Sequence, residues 1–320
     1  MGSGTWSADT YHDRVTAKRT AGKDAFDYSA AAHRSGRLKV HQTLDPLGLR
    51  VRESRDSAEH PDSNSIIIGL DVTGSMGAVV RGIHADLPQL HELLLGHRYV
   101  PHPQVMFTAV GDATCDEVPL QVGQFESDNR MDQHLENMIL EGGGGGQKME
   151  SYELTMYLAA RHTATDCFEK RGRKGYLFMI GDEMAYPAVK RSEVRRLIGE
   201  HAGLEADVPL AQVVAEVTRK YHTYFVIPGG ASHGADKQVR DFWFNVLGPG
   251  HVLQLDDPAD TSETIGLTIG LNEGALTVAQ ARERMERRGV IRATIDRITG
   301  ALGSIVPSGP TVTAGGARRL

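Results

Sequence analysis

The chain has 320 residues, 40% of them apolar and 24% charged, and a net charge of −6 with its histidines neutral. That is long enough to bury a sizeable core, and the mild acidity gives no sign of a nucleic-acid-binding chain, although it does not exclude a local basic patch. Cys115 and Cys167 fit neither a disulfide framework nor a metal-ligand spacing, which points to a reducing compartment. The opening residues lack an apolar signal core and no run approaches the ~18 apolar residues of a membrane span, so the expectation is a cytoplasmic protein without a membrane anchor.

Residues 1–62 are polar and irregular and read as an N-terminal extension, although Trp6, Tyr11, Phe26, Tyr28 and the LDPLGL segment are more apolar anchors than a free tail needs. From Ser65 the pattern changes. SIIIGLD is a short continuous apolar run bounded by turn residues, the mark of a parallel strand buried on both faces. One helix is expected from MGAVVRGI through LHELLLG, then a strand over 104–112, and an alternating segment over 118–125 that should pair antiparallel at a sheet edge. Residues 127–140 and 150–163 read as helices around a glycine-run loop, 142–146.

GYLFMIGD at 175–182 repeats the buried-strand signature. Helices over about 189–201 and 208–220, a strand over 222–228, a helix near 234–247 holding a core Trp243, and a last strand over 251–257 continue the alternation. Strands alternating with crossover helices predict an α/β fold, a doubly wound, Rossmann-like, mostly parallel sheet with one antiparallel edge strand and helices on both faces. The domain is expected over 63–275, a C-terminal helix over 276–300 and a disordered tail over 301–320; the arginines of 282–297 read as a solvated helix face.

In such a sheet ligands bind where loops leave the carboxyl ends of the central strands. Three polar segments fall there: Asp71-Val72-Thr73-Gly74-Ser75-Met76, the loop GGGGGQKMES, and Asp182-Glu183. The first places a carboxylate and two hydroxyls on a tight turn before a helix, and a few oxygens that leave room for water suit Mg²⁺, or Mn²⁺, better than zinc. The alternative for such a turn is a hydroxyl that merely caps the helix.

Asp-x-Thr-Gly-Ser-Met after an apolar strand resembles the metal-ion-dependent adhesion site of von Willebrand factor A domains, D-x-[ST]-x-S, and the element order over the domain is similar too. The resemblance implies that Thr73 and Ser75 bind the metal, that Asp71 does so often through water, and that Asp182 is a further ligand. The usual threonine after Gly-Gly is absent, Gln147 standing there. The loop is more similar to those of integrin β and alpha-kinase-associated A domains, which supply a glutamate, matched here by Glu150, with Gln147 and Glu183 as weaker candidates. The family implies a non-enzymatic module in which Mg²⁺ takes a carboxylate from a protein partner, often within a multiprotein assembly beside a separate ATPase chain; composition and the lack of an apolar span add the expectation that neither nucleic acid nor membrane is involved.

Two other readings stay open. Gly230-Ala231-Ser232-His233-Gly234 matches the G-x-S-x-G nucleophile elbow of serine hydrolases, though Asp256 and Asp257 follow His251 in the wrong order. A structural or assembly protein with a vestigial metal site is the other. His91-Glu92-Leu93-Leu94-Leu95 lacks the second histidine of H-E-x-x-H, and His97, His102, His162 and His222 read as surface or core residues.

Overall fold

The computed structural model describes residues 4–143 and 146–304, the side chain of Ser75 excepted. Asn64–Asp71 (β1), Pro103–Val110 (β2), Leu120–Val122 (β3), Gly175–Ile180 (β4), Tyr221–Ile227 (β5) and Val252–Gln254 (β6) form one sheet in the order β6-β5-β4-β1-β2-β3. All neighbours pair in parallel except β2 with β3. The doubly wound sheet with one antiparallel edge is therefore present.

Every residue of β1, β2 and β4 is buried, which is why each reads as a mostly apolar run without a polar face. The pleat divides β1 between two cores. Ile66, Ile68 and Leu70 pack with Val80, Ile83 and Leu90, while Ile67 packs on the other face with Leu154, Leu158, Val217 and Trp243. The strand order reverses between β1 and β4, so the loops after these two strands open a crevice at their carboxyl ends.

The α-helices of five or more described residues are Ala8–Thr20 (α1), Asp27–Ser35 (α2), Gly77–Ala85 (α3), Leu87–His91 (α4), Arg130–Glu136 (α5), Tyr152–Arg161 (α6), Arg191–Leu197 (α7), Leu210–Lys220 (α8), Lys237–Leu247 (α9), Thr261–Asn272 (α10), Val278–Arg287 (α11) and Arg292–Gly303 (α12). The single helix expected after β1 is broken. Pro88, which carries no N–H, sits in the first turn of α4, and a π-turn over Glu92–Gly96 follows. The expected C-terminal helix is likewise a pair, because Gly289 turns the chain at φ +78° between α11 and α12. α12 runs to Gly303, and the tail expected beyond it lies, from residue 305, outside the described residues.

The N-terminal segment is not loose. Tyr11, Phe26 and Leu44 are buried, the Trp6 indole donates to Asp132 Oδ1 at 2.8 Å, and Arg14 and Lys18 pair with Glu136. Arg52–Ser54 pairs in parallel with Thr163–Thr165, tying this segment to the end of α6. No helix among the described residues is long and apolar enough to cross a membrane.

Candidate metal centre

Asp71 is the last residue of β1, fully buried, and both its oxygens are occupied. Oδ1 accepts from the Thr73 N–H at 2.9 Å and from the Thr73 hydroxyl at 2.6 Å, and Oδ2 accepts from the Tyr152 hydroxyl at 2.6 Å. A hydroxyl that gives its proton to Asp71 keeps its oxygen lone pairs for something else. Burial pushes the Asp71 carboxyl up to about 7 against the pull of those hydrogen bonds.

The turn after Asp71 is closed by the glycine loop. Gly74, at φ +25°, donates its N–H to the Gly143 carbonyl at 2.8 Å, and Gly142 N–H reaches the Val72 carbonyl at 3.3 Å. Gly144 and Gly145 lie outside the described residues, as does the Ser75 side chain, whose backbone forms a 3₁₀ turn, Gly74–Met76.

Glu150 comes to the same place by strand pairing. Met149–Glu150 pairs in parallel with Met184–Ala185, just beyond β4, while Lys148 Nζ meets Asp236 Oδ2 at 2.7 Å. Glu150 is wholly buried and, among the described residues, neither carboxyl oxygen has a hydrogen-bond partner. Burial first, then the negative charges of Asp71, Glu183, Asp116 and Asp112, push its carboxyl up to about 10. Asp182 follows β4, is 3% exposed, and accepts the His233 N–H on Oδ2 at 2.8 Å. Glu183 is pushed up to about 7 by burial and by Asp182, and its carbonyl accepts the Trp243 indole N–H at 2.8 Å.

Asp71, Thr73, Glu150 and Asp182 thus lie around one crevice. Among the described residues no three His, Cys, Asp or Glu side chains converge closely enough to hold a metal, so a cation here needs hydroxyl oxygen and water besides carboxylates. The donors fit that need: a hydroxyl with free lone pairs at Thr73, and at Glu150 two buried orphan oxygens among other acids. A buried carboxyl of that kind is costly unless something positive or protic meets it.

Gln147 takes another course. Its amide donates to Asp112 Oδ2 at 2.5 Å and to the Tyr186 hydroxyl at 2.8 Å. Asp112, just beyond β2, also accepts from the Thr114 N–H and hydroxyl at 2.8 and 2.7 Å, so Asp112-Ala113-Thr114-Cys115-Asp116 repeats the turn of Asp71-Val72-Thr73-Gly74-Ser75. Sequence reasoning missed Asp112, Tyr152 and Tyr186. The repeated D-x-T-x-[DS] string after a strand was the signal for the first; no local signal marks the tyrosines.

Ser232 is exposed in a loop after the end of β5 at Ile227, and His251 is bonded to the carbonyl of Thr223, near the start of that strand.

No protein-family model matches the chain, and no curated protein does. Among solved structures it is similar to the pilus adhesin SpaC from Lactobacillus rhamnosus GG (TM-score 0.45, 8% identity, 68% of this chain and 31% of that one). It is also similar to proximal thread matrix protein 1 from the mussel byssus (TM-score 0.43, 9% identity, 70% and 50%). An aerotolerance-related membrane protein from Bacteroides fragilis gives a TM-score of 0.38 at 15% identity over 64% of this chain and 98% of that one. The chain therefore spans about a third of the adhesin and half of the byssus protein. Likeness at this level is one of outline, and the fold assignment rests on the strand order: the chain is a doubly wound, mostly parallel α/β protein with one antiparallel edge.

Proposed function

We propose that this chain is a metal-dependent protein-binding module, in which a Mg²⁺ ion at the carboxyl ends of β1 and β4 completes its shell with a carboxylate from a partner protein. The observation that supports this most is Glu150, buried with both oxygens unpartnered among the described residues, beside an Asp-x-Thr turn whose threonine hydroxyl has its proton committed to Asp71. Thr73, Glu150 and Asp182, with Ser75 by resemblance to A domains, are the proposed ligands, and Asp71 acts through water. When bound, the cation supplies positive charge and open positions that accept an anionic oxygen.

The chain's own residues do the positioning. Tyr152 and Thr73 fix the Asp71 carboxylate, Gly74 and Gly142 hold the glycine loop on the turn, and the His233 backbone holds Asp182. No bond-making step is needed for this role, and a place in a multiprotein assembly follows from it. The second reading, a scaffold with a vestigial site, predicts partner binding that survives chelation.

The test is titration calorimetry and thermal shift with Mg²⁺ and Mn²⁺ on the natural chain, Thr73→Ala and Glu150→Ala. Saturation at ~100 times Kd stabilises a binding protein by ~2.7 kcal/mol, so a clear rise in melting temperature is expected in the natural chain and its loss in both variants. No response in the natural chain refutes the metal site. Partners recovered from lysate equally well in Mg²⁺ and EDTA favour the scaffold.

A further inference from the structure

At the amino ends of the strands, opposite the Asp71 turn, lies a cavity of about 500 Å³ lined by His60, His102, Arg98, Leu95 and Pro103 among others. His60 Nδ1 and His102 Nδ1 face each other there at 3.3 Å, with ring planes at 72°. We propose that this pair is a binding site for a zinc-class transition-metal ion, separate from the crevice at Asp71.

The tautomer supports the assignment. His60 Nε2 lies 3.0 Å from the Gly4 carbonyl oxygen, which can only accept, so Nε2 carries the proton and Nδ1 keeps a bare lone pair. A ring N–H given to a backbone carbonyl is also how metal-binding imidazoles are held in orientation. His60 is 5% exposed, so this arrangement is fixed by the N-terminal segment packed over it rather than by solvent.

The spacing agrees as well. With Zn–N bonds of about 2.05 Å, two nitrogens on a tetrahedral ion stand about 3.3 Å apart. An N–H donor to a nitrogen or oxygen acceptor prefers about 2.7–3.2 Å, so a plain hydrogen bond between the rings is at its long limit. His102 is moreover held at φ +43°, a conformation that non-glycine residues rarely adopt, and its carbonyl is fixed by the Asn64 N–H at 3.1 Å. Such strain persists where the surroundings over-determine it. Both rings line the cavity, and among the described residues no group of three metal-ligating His, Cys, Asp or Glu side chains forms, so water or a small ligand fills the remaining positions. Imidazole nitrogen selects zinc, cobalt, nickel or copper over Mg²⁺, so the two sites draw on different ions.

The test uses the full chain in saturating Mg²⁺, titrated with Co²⁺ and then Zn²⁺, reading the visible absorption of tetrahedral Co²⁺ and its displacement. One equivalent is expected, with affinity at least ~10-fold weaker in His60→Gln and in His102→Asn, changes that keep an amide donor toward Gly4 and a residue tolerant of positive φ. Melting temperatures of the variants identify any that misfold. Independently, imidazole ¹⁵N spectra of the unsubstituted chain should show Zn²⁺ moving the Nδ1 signals of two rings. Binding that is equal in both folded variants, or Zn²⁺ that moves no Nδ1 signal, overturns the proposal.

Discussion

The Tyr152 hydroxyl donates to Asp71 Oδ2 at 2.6 Å across the crevice, joining the start of α6 to the end of β1 where both residues are buried. The ring is held by edge contacts with Phe225 and Trp243, at 5.2 and 5.6 Å between centroids. Tyr152→Phe keeps that packing and removes the donor, leaving a buried carboxylate oxygen unpaired. A loss of about 1–3 kcal/mol in denaturant unfolding is expected. An unchanged midpoint would mean that water replaces the hydroxyl.

Gly181, between β4 and Asp182, is where that tyrosine passes the chain, and a Cβ there would collide with the hydroxyl of Tyr152. Its backbone φ is ordinary, so the constraint is steric alone. Gly181→Ala should cost about 1–3 kcal/mol by overpacking and weaken any Mg²⁺ response, because Asp71 loses its fixed partner. Combined with Tyr152→Phe, it should cost less than the sum of the single changes, since they share one contact.

Glu150→Gln separates stability from metal binding. The amide fills the same volume and brings N–H donors to a pocket of carboxylates, so the metal-free protein should melt no lower than the natural chain and gain up to ~1–3 kcal/mol from relief of the orphaned carboxyl. The Mg²⁺-dependent rise should vanish. A variant that keeps the full rise would remove Glu150 from the ligand set.

The docking of the N-terminal segment should be acid-labile. Glu136, on α5, is buried, yet its carboxyl is held down to about 2, because hydrogen bonds from His84 and Lys18 and the charge of Arg14 outweigh the burial that pushes it up. A carboxyl depressed in the folded state binds fewer protons there than in the unfolded chain. Its contribution is therefore complete above the unfolded value near 4.5 and is lost as pH falls from there toward 2. That contribution is on the order of 3 kcal/mol. Thermal melts of the natural chain and Glu136→Gln between pH 6 and 2.5 should show the gap narrowing with acid; a constant gap would show that Glu136 does not carry it.

Much of this was written locally. SIIIGLD, QVMFTAV, GYLFMI and HTYFVI are mostly apolar because parallel strands covered by helices on both faces have little solvent side, and that pattern survives without knowledge of what packs against it. Asp71 and Thr73 were legible for the same reason, since an Asp that accepts from a residue two positions on needs only its own turn. The apolar spacing from MGAVVRGI through LHELLLG runs across Pro88 without a gap, whereas the missing N–H of that residue breaks the helix there.

Contacts between distant segments were decided by the tertiary structure. Tyr152 meets Asp71, and Gln147 meets Asp112, only because the sheet sets β1 beside β2 and the glycine loop folds across both. α1 has no apolar stripe to announce a docking face; it is held by Arg14 and Lys18 reaching carboxylates on α5. His60 and His102, 42 positions apart, come to 3.3 Å through a strained turn at the foot of β2. Periodicity is a property of neighbours along the chain and so fixes strands, turns and fold class, whereas the pairing of polar groups across the sheet depends on register and packing that no local pattern encodes.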